Sequence, residues 1–204
     1  MEYITPSQLI KEDVSVTCDL ATALSNYEAN PKRFGTEGEL RVGKKSNRVT
    51  ISGETVTDGI VALGWSLNGK TGVYYSVVVE LSDEDVDAIE ALLNKLREFL
   101  GEMPGFEEWS VVSPLRGEKL TVKLKSVDKQ FDAKFNGKKV QTKNHGNIGL
   151  EQDQKISFMG KFEPFFKFAE QRAELNFIVS RVFFDPINIE ENEAPSKPKR
   201  KRED

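Results

Sequence analysis

The stretch Lys119–Lys143, KLTVKLKSVDKQFDAKFNGKKVQTK, decides how this chain is read. Leu120, Val122 and Leu124 alternate with Thr121, Lys123 and Lys125. A strand points successive side chains to opposite faces, so the pattern predicts one dry face and one basic face. FDAKF follows, then Asn136-Gly137, then KKVQTK. Asn-Gly tolerates the positive φ angles of a tight turn, which predicts a hairpin with Lys138 and Lys139 at its tip. From Arg116 to Lys143 there are nine basic and three acidic residues, although the whole chain has a formal charge of -4. Positive charge is therefore concentrated here.

Upstream, GIVALGWSL and GVYYSVVVEL are β-branched and aromatic runs joined through Asn68-Gly69, a second hairpin signal. Ser82–Gly101 then changes period. Val86, Ile89, Leu92, Leu93, Leu96, Phe99 and Leu100 recur at helical spacing, Ser82 is a suitable N-cap, and Asp83 and Glu84 suit the positive end of the dipole. The outer face of this helix is acidic and should point away from any polyanion. ELRVGKK and RVTISG, from Glu39 on, read as strands with a bend at Gly43. Before them, Pro6 suits the first turn of a short helix after Thr5, and ANPKRFGTEG reads as a loop.

Downstream, KNHGNIGLEQDQ reads as a polar loop containing the single histidine, His145. Five phenylalanines follow between Phe158 and Phe168, a density that predicts core. ELNFIVSRVFF is a long strand stopped by Pro186. The domain organisation expected is an irregular or helical segment over 1–38, one β-rich domain over 39–186, and a disordered acidic-then-basic tail over 187–204. In that tail Lys199, Arg200, Lys201 and Arg202 match a short nuclear-import signal or a polyanion tether. The chain is expected to be intracellular: nuclear if the tail is an import signal, cytoplasmic otherwise.

Composition narrows the chemistry. A single cysteine, Cys18, excludes an intrachain disulfide and a cysteine-built zinc site. No apolar run approaches the roughly 18 residues of a membrane span. The sequence has no phosphate-loop, Rossmann, HExxH or GxSxG pattern, so no catalytic residue, metal or cofactor is expected.

What remains is basic and aromatic side chains interleaved on strands. A single-stranded nucleic acid presents a charged backbone and unstacked bases, and its binder needs cations along a groove with aromatic faces beside them. Lys123, Lys125, Lys134, Lys138, Lys139 and Lys143 are the candidate cations, with Lys32 and Arg33 as a second small cluster. Phe131, Phe135, Trp65 and Tyr75 are the candidate stacking groups, with Tyr74 beside them. Lysine pairs by charge rather than by base-edge geometry, so little sequence preference is expected. The same hairpin lysines also serve to blunt sheet edges, a purely structural use.

The order of elements over about residues 39 to 186 resembles the OB-fold single-stranded DNA-binding proteins of large DNA viruses and phages. It has strands, a helix after GVYYSVVVEL, a lysine-bearing hairpin, a long last strand and an acidic-then-basic tail. The resemblance implies a mixed, mostly β (α+β) fold: an OB-like antiparallel barrel with β-hairpins and one long amphipathic helix. It implies non-catalytic binding of single-stranded DNA, or RNA, in replication, repair or recombination. Self-association and recruitment of replication proteins through the tail are further implications. The competing expectation is a structural or assembly protein, such as a virion component, whose hairpins contact other proteins.

Overall fold

Sequence alternation carries through to strands almost everywhere in the computed structural model, which describes residues 2–31, 35–67 and 70–186, with the backbone alone at 65–67 and 70. In chain order the elements begin with α1 (Pro6–Leu9), β1 (Val14–Thr17), α2 (Leu20–Ala29), β2 (Gly35–Glu37), β3 (Glu39–Val42) and β4 (Lys45–Ser46). Next come β5 (Val49–Thr55), β6 (Val61–Leu67), β7 (Lys70–Glu80) and α3 (Asp83–Gly101). Then follow β8 (Ser110–Val112), β9 (Leu115–Arg116), β10 (Lys119–Leu124), β11 (Ser126–Val127), β12 (Gln130–Phe135) and β13 (Lys138–Gln141). The last elements among the described residues are β14 (Lys155–Lys167) and β15 (Arg172–Phe184). The KNHGN segment, expected as open loop, winds into a short 3-10 turn over Thr142–Asn147, where His145 Nδ1 lies 2.8 Å from the Thr142 carbonyl.

One sheet of twelve strands runs β11-β12-β15-β14-β5-β7-β10-β9, with β13, β2, β6 and β8 attached to it, and β1, β3 and β4 form a small second sheet. The expectation of an antiparallel barrel needs correction on both counts. Two pairings, β12 with β15 and β15 with β8, are parallel. The hydrogen-bonded ladder also stays open. β10 pairs with β7 along one edge and with β9 at Lys119 and Leu120 on the other, so it lies alongside β15 without a ladder to it. The predicted Asn136-Gly137 turn is present: both residues have positive φ, 46° and 82°, and they join β12 to β13.

The dry faces meet in a core built from Leu120, Val122 and Leu124 of β10, Val77 and Val79 of β7, Phe158 and Phe162 of β14, and Val182 and Phe184 of β15. α3 closes one side of it. Ser82 caps that helix through its side chain, three acidic residues fill its first turn, and Ile89, Leu92, Leu93 and Leu96 are fully buried. Its Leu96 and Leu100 reach a second apolar cluster with Leu20, Phe106, Phe166 and Phe168. The phenylalanine-rich segment is thus core, as its density predicted. Burying each such side chain is worth about 1.5–3 kcal/mol before the conformational cost of ordering it.

β14 and β15 are long, and they are interrupted at one place. The register between them shifts at Met159/Gly160. A Cβ on Gly160 would sit 2.2 Å from the Ile178 carbonyl oxygen, closer than atoms tolerate, so only glycine lets the two backbones approach there. The bulge divides the hairpin into two halves whose outward side chains differ in kind.

Candidate nucleic-acid interface

The site begins with β12. Phe131, Ala133 and Phe135 are buried while Gln130, Asp132 and Lys134 are exposed, so period two is obeyed without exception. Lys134 is directly opposite Lys139 on β13 and opposite Arg181 on β15. Arg181 is in turn opposite Met159 on β14, and Met159 opposite Thr50 on β5. Cross-strand partners share a face. One outward row therefore runs Lys139, Lys134, Arg181, Met159, Thr50 across five strands.

The next row supplies what lysines cannot. Val182 and Phe184 turn into the core, which forces Phe183 outward with 39% of its surface exposed. It is opposite Ser157, which is opposite Ser52, and the two serine hydroxyl oxygens are 2.7 Å apart. Asn136 pins this end of β15: its side-chain amide donates to the Phe184 carbonyl and its side-chain oxygen accepts from the Phe184 N–H. An exposed aromatic ring thus sits two residues from Arg181, on a rigid strand held from both sides. Among the described residues, Lys134, Arg181 and Lys155 form no ion pair. Asp132 is the carboxylate on this face of β12, and Lys139 curls beside it to donate to the Phe131 and Asp132 carbonyl oxygens.

The sequence-predicted residues scatter around this surface. Lys123, Lys138 and Lys143 are exposed. Lys125 is also exposed, but it pairs with Glu37 at 4.0 Å, and Lys123 lies near enough to Glu174 to act on its charge. Two expected stacking residues are not available. Phe131 is wholly buried and Phe135 nearly so, because alternation sends them to the face opposite Lys134. Tyr75 is half-buried, packed edge-on against Phe131 with centroids 5.0 Å apart, and its neighbour Tyr74 is the exposed one at 42%. Lys32, Arg33, the Trp65 side chain, the Asn68-Gly69 turn and the tail residues Lys199, Arg200, Lys201 and Arg202 lie outside the described residues.

Sequence reasoning missed Arg181 and Phe183. The signal was the alternation of SRVFF, in which Val182 and Phe184 take the inside and leave the other two outside. Cys18 offers no alternative chemistry. Burial, with help from Asp19, pushes its thiol up to about 11, so it stays protonated at neutral pH.

Beyond the bulge the same two strands treat charge differently. Lys167 donates to Glu174 at 2.8 Å, Arg172 reaches Glu174 at 2.9 Å and Glu170 at 2.7 Å, and Lys161 pairs with Glu163. Burial works to raise the Glu174 carboxyl. The Lys167 hydrogen bond and the charges of Lys167, Lys123 and Arg172 outweigh it, and the net shift is downward. Lys161, Lys167 and Arg172 are each matched to a carboxylate.

No family model matches the chain, and no curated protein matches it. Among solved structures it is similar to the crystal structure of gp2.5, a single-stranded DNA-binding protein encoded by bacteriophage T7. The identity is 12%, the TM-score is 0.43, and the match covers 74% of this chain and 98% of that one. What this chain binds is decided by its own side chains.

Proposed function

We propose that the protein is a non-catalytic binder of single-stranded nucleic acid, with the outward face of β12, β15, β14 and β5 as its binding surface. The observation that carries this is Phe183, exposed on a strand and flanked by Arg181 and Lys134, neither of them in an ion pair among the described residues. Lys134 and Arg181 hold the phosphates, Phe183 stacks a base, and the Ser52 and Ser157 hydroxyls line the path beyond it. Single-stranded DNA is the substrate class that suits an open surface with both cations and a bare ring, and a role in replication, repair or recombination follows from that preference.

Fluorescence anisotropy with labelled oligo-dT tests it directly. Binding should be measurable at low salt and weaken as salt rises, with log K falling by roughly 0.7 per log unit of salt for each phosphate neutralised. An absence of binding at low ionic strength, with the protein shown to be folded by circular dichroism, would end the proposal.

A further inference from the structure

Six large apolar side chains are exposed among the described residues, and three of them, Leu63, Val73 and Tyr74, sit on the β6–β7 ribbon. Leu63 is opposite Tyr74 and Gly64 opposite Val73, so the ribbon is apolar on both faces. β7 pairs with β10 only as far as Tyr75, and residues 70–74 are held by β6 alone. β6 in turn is hydrogen-bonded to β7 along one edge and, among the described residues, to no strand along the other.

An open edge of this kind is a template for another strand, and proteins usually blunt it with lysine, proline or a bulge. β6, VALGWSL, carries none of these. From Ile60 to Val79 the one charged residue is Lys70, in a chain that is 30% charged. A polyanion therefore finds almost no cation on the ribbon, unlike the surface around Lys134 and Arg181. A second copy of the chain finds the reverse. The formal charge of -4 makes two copies repel broadly, and the ribbon is where they can touch without setting charge against charge.

We infer that β6 pairs antiparallel with β6 of a second copy, joining the two sheets across a twofold axis. Pairing along the whole of Val61–Leu67 is centred on its middle residue, Gly64. The Leu63 side chains of the two copies are then diagonal neighbours on one face, roughly 7–8 Å apart. Each has Tyr74 of its own ribbon beside it, so an apolar stripe crosses the junction. The free part of β7 is the poorer partner, because it is shorter, contains Lys70 and runs into β10. One ribbon edge is smaller than the roughly 800 Å² per partner of a standard interface, so the dimer should be weak, with a dissociation constant on the order of micromolar. This pairing does not rest on the proposed function.

Sedimentation velocity of the nuclease-treated protein, over a dilution series reaching about 0.3 mM, tests it. The mass should rise from that of the 23.0 kDa chain to twice that value. Leu63→Lys and Leu63→Glu should each stay monomeric, because the twofold sets like charges near one another, and an equimolar mixture of the two should regain the dimer. Circular dichroism and melting temperature should barely change, since Leu63 is exposed. Cys18→Ser with Leu63→Cys gives a readout free of added charge: a short bismaleimide should cross-link it into dimers. A wild type that stays monomeric throughout overturns the inference. So does a dimer that survives in both charge variants, or a folded cysteine variant that yields no cross-link. A monomeric wild type whose oligo-dT affinity falls in both charge variants assigns the ribbon to nucleic acid instead, and this too overturns it.

Discussion

The two halves of the β14–β15 hairpin make opposite use of the same residue types. Beyond the bulge, Lys161, Lys167 and Arg172 are each matched to a carboxylate within 4 Å and are partly sheltered. On the other side, Lys155, Arg181 and the Lys134 opposite it are exposed and, among the described residues, in no ion pair. A cation already engaged with a glutamate has little to offer a phosphate, because the incoming group must displace a partner held close. An unmatched exposed cation keeps its full attraction for a polyanion, screened only by salt. The difference is one of partner supply rather than of basic content. Counting lysines along the sequence does not see it.

The strongest way to break this comparison is to reverse charge in each half separately. Lys134→Glu with Arg181→Glu should weaken oligo-dT binding by roughly a hundredfold at low salt and flatten the salt dependence by about one to two phosphate contacts. Thermal stability should move little, since both sites are exposed. Lys167→Glu with Arg172→Glu should do the reverse, lowering the melting temperature while leaving affinity nearly intact. If both double variants lose binding equally, the division at the bulge has no functional meaning. Reversal at Lys123 and Lys125 belongs between them, because Glu174 and Glu37 already offset those charges.

Phe183→Ala comes next in size. Truncating a stacking ring costs about 1–3 kcal/mol per base, or roughly fivefold to a hundredfold in affinity. Tyr74→Ala, on the separate β6–β7 ribbon, is the matched control: it too is an exposed aromatic, but Arg181 and Lys134 are not on its strand or the strands paired to it. A larger loss at Tyr74 than at Phe183 would move the site to the ribbon. Intrinsic tyrosine and tryptophan fluorescence before and after substitution checks that the fold is unchanged.

Much of this architecture was written in local pattern. The period-two runs became β7, β10, β12 and β15, the helical spacing became α3 with Ser82 as its cap, and Asn136-Gly137 became the β12–β13 turn. That the sheet stays open was not legible, since whether β10 joins β15 by a ladder is decided by strand pairing between distant segments. The site was half legible. Lys134 stood out by charge, yet Phe131 and Phe135 were paired with it although alternation in FDAKF already assigns them to the other face. Phe183 was hidden by its company: FIVSRVFF reads as an apolar core strand until Val182 and Phe184 are seen to take the inside. That Arg181 ends up beside Lys134 is a matter of strand register between distant segments, and no local pattern encodes it.

The smallest expected effect sharpens the other side of the comparison. Glu174 is the carboxylate that holds Lys167 and Arg172, and its proton affinity is lowered in the fold despite burial. A depressed carboxyl contributes stability that is fully present above its unfolded value, near 4.3, and fades as pH falls through the lower folded value. Glu174→Gln should therefore cost about 1 kcal/mol at neutral pH, a figure already reduced for the solvent that reaches the network. That cost should shrink on acidification below about pH 4, where the wild-type carboxylate is itself being protonated. Arg172 sharpens the expectation, because its Nε finds no hydrogen-bond partner among the described residues and so depends on Glu174 and Glu170 for its placement. Denaturant midpoints for both proteins at neutral and acid pH measure the difference. If the gap between them is independent of pH, Glu174 acts by packing rather than by charge, and the paired half of the hairpin is held together by its apolar inner face alone.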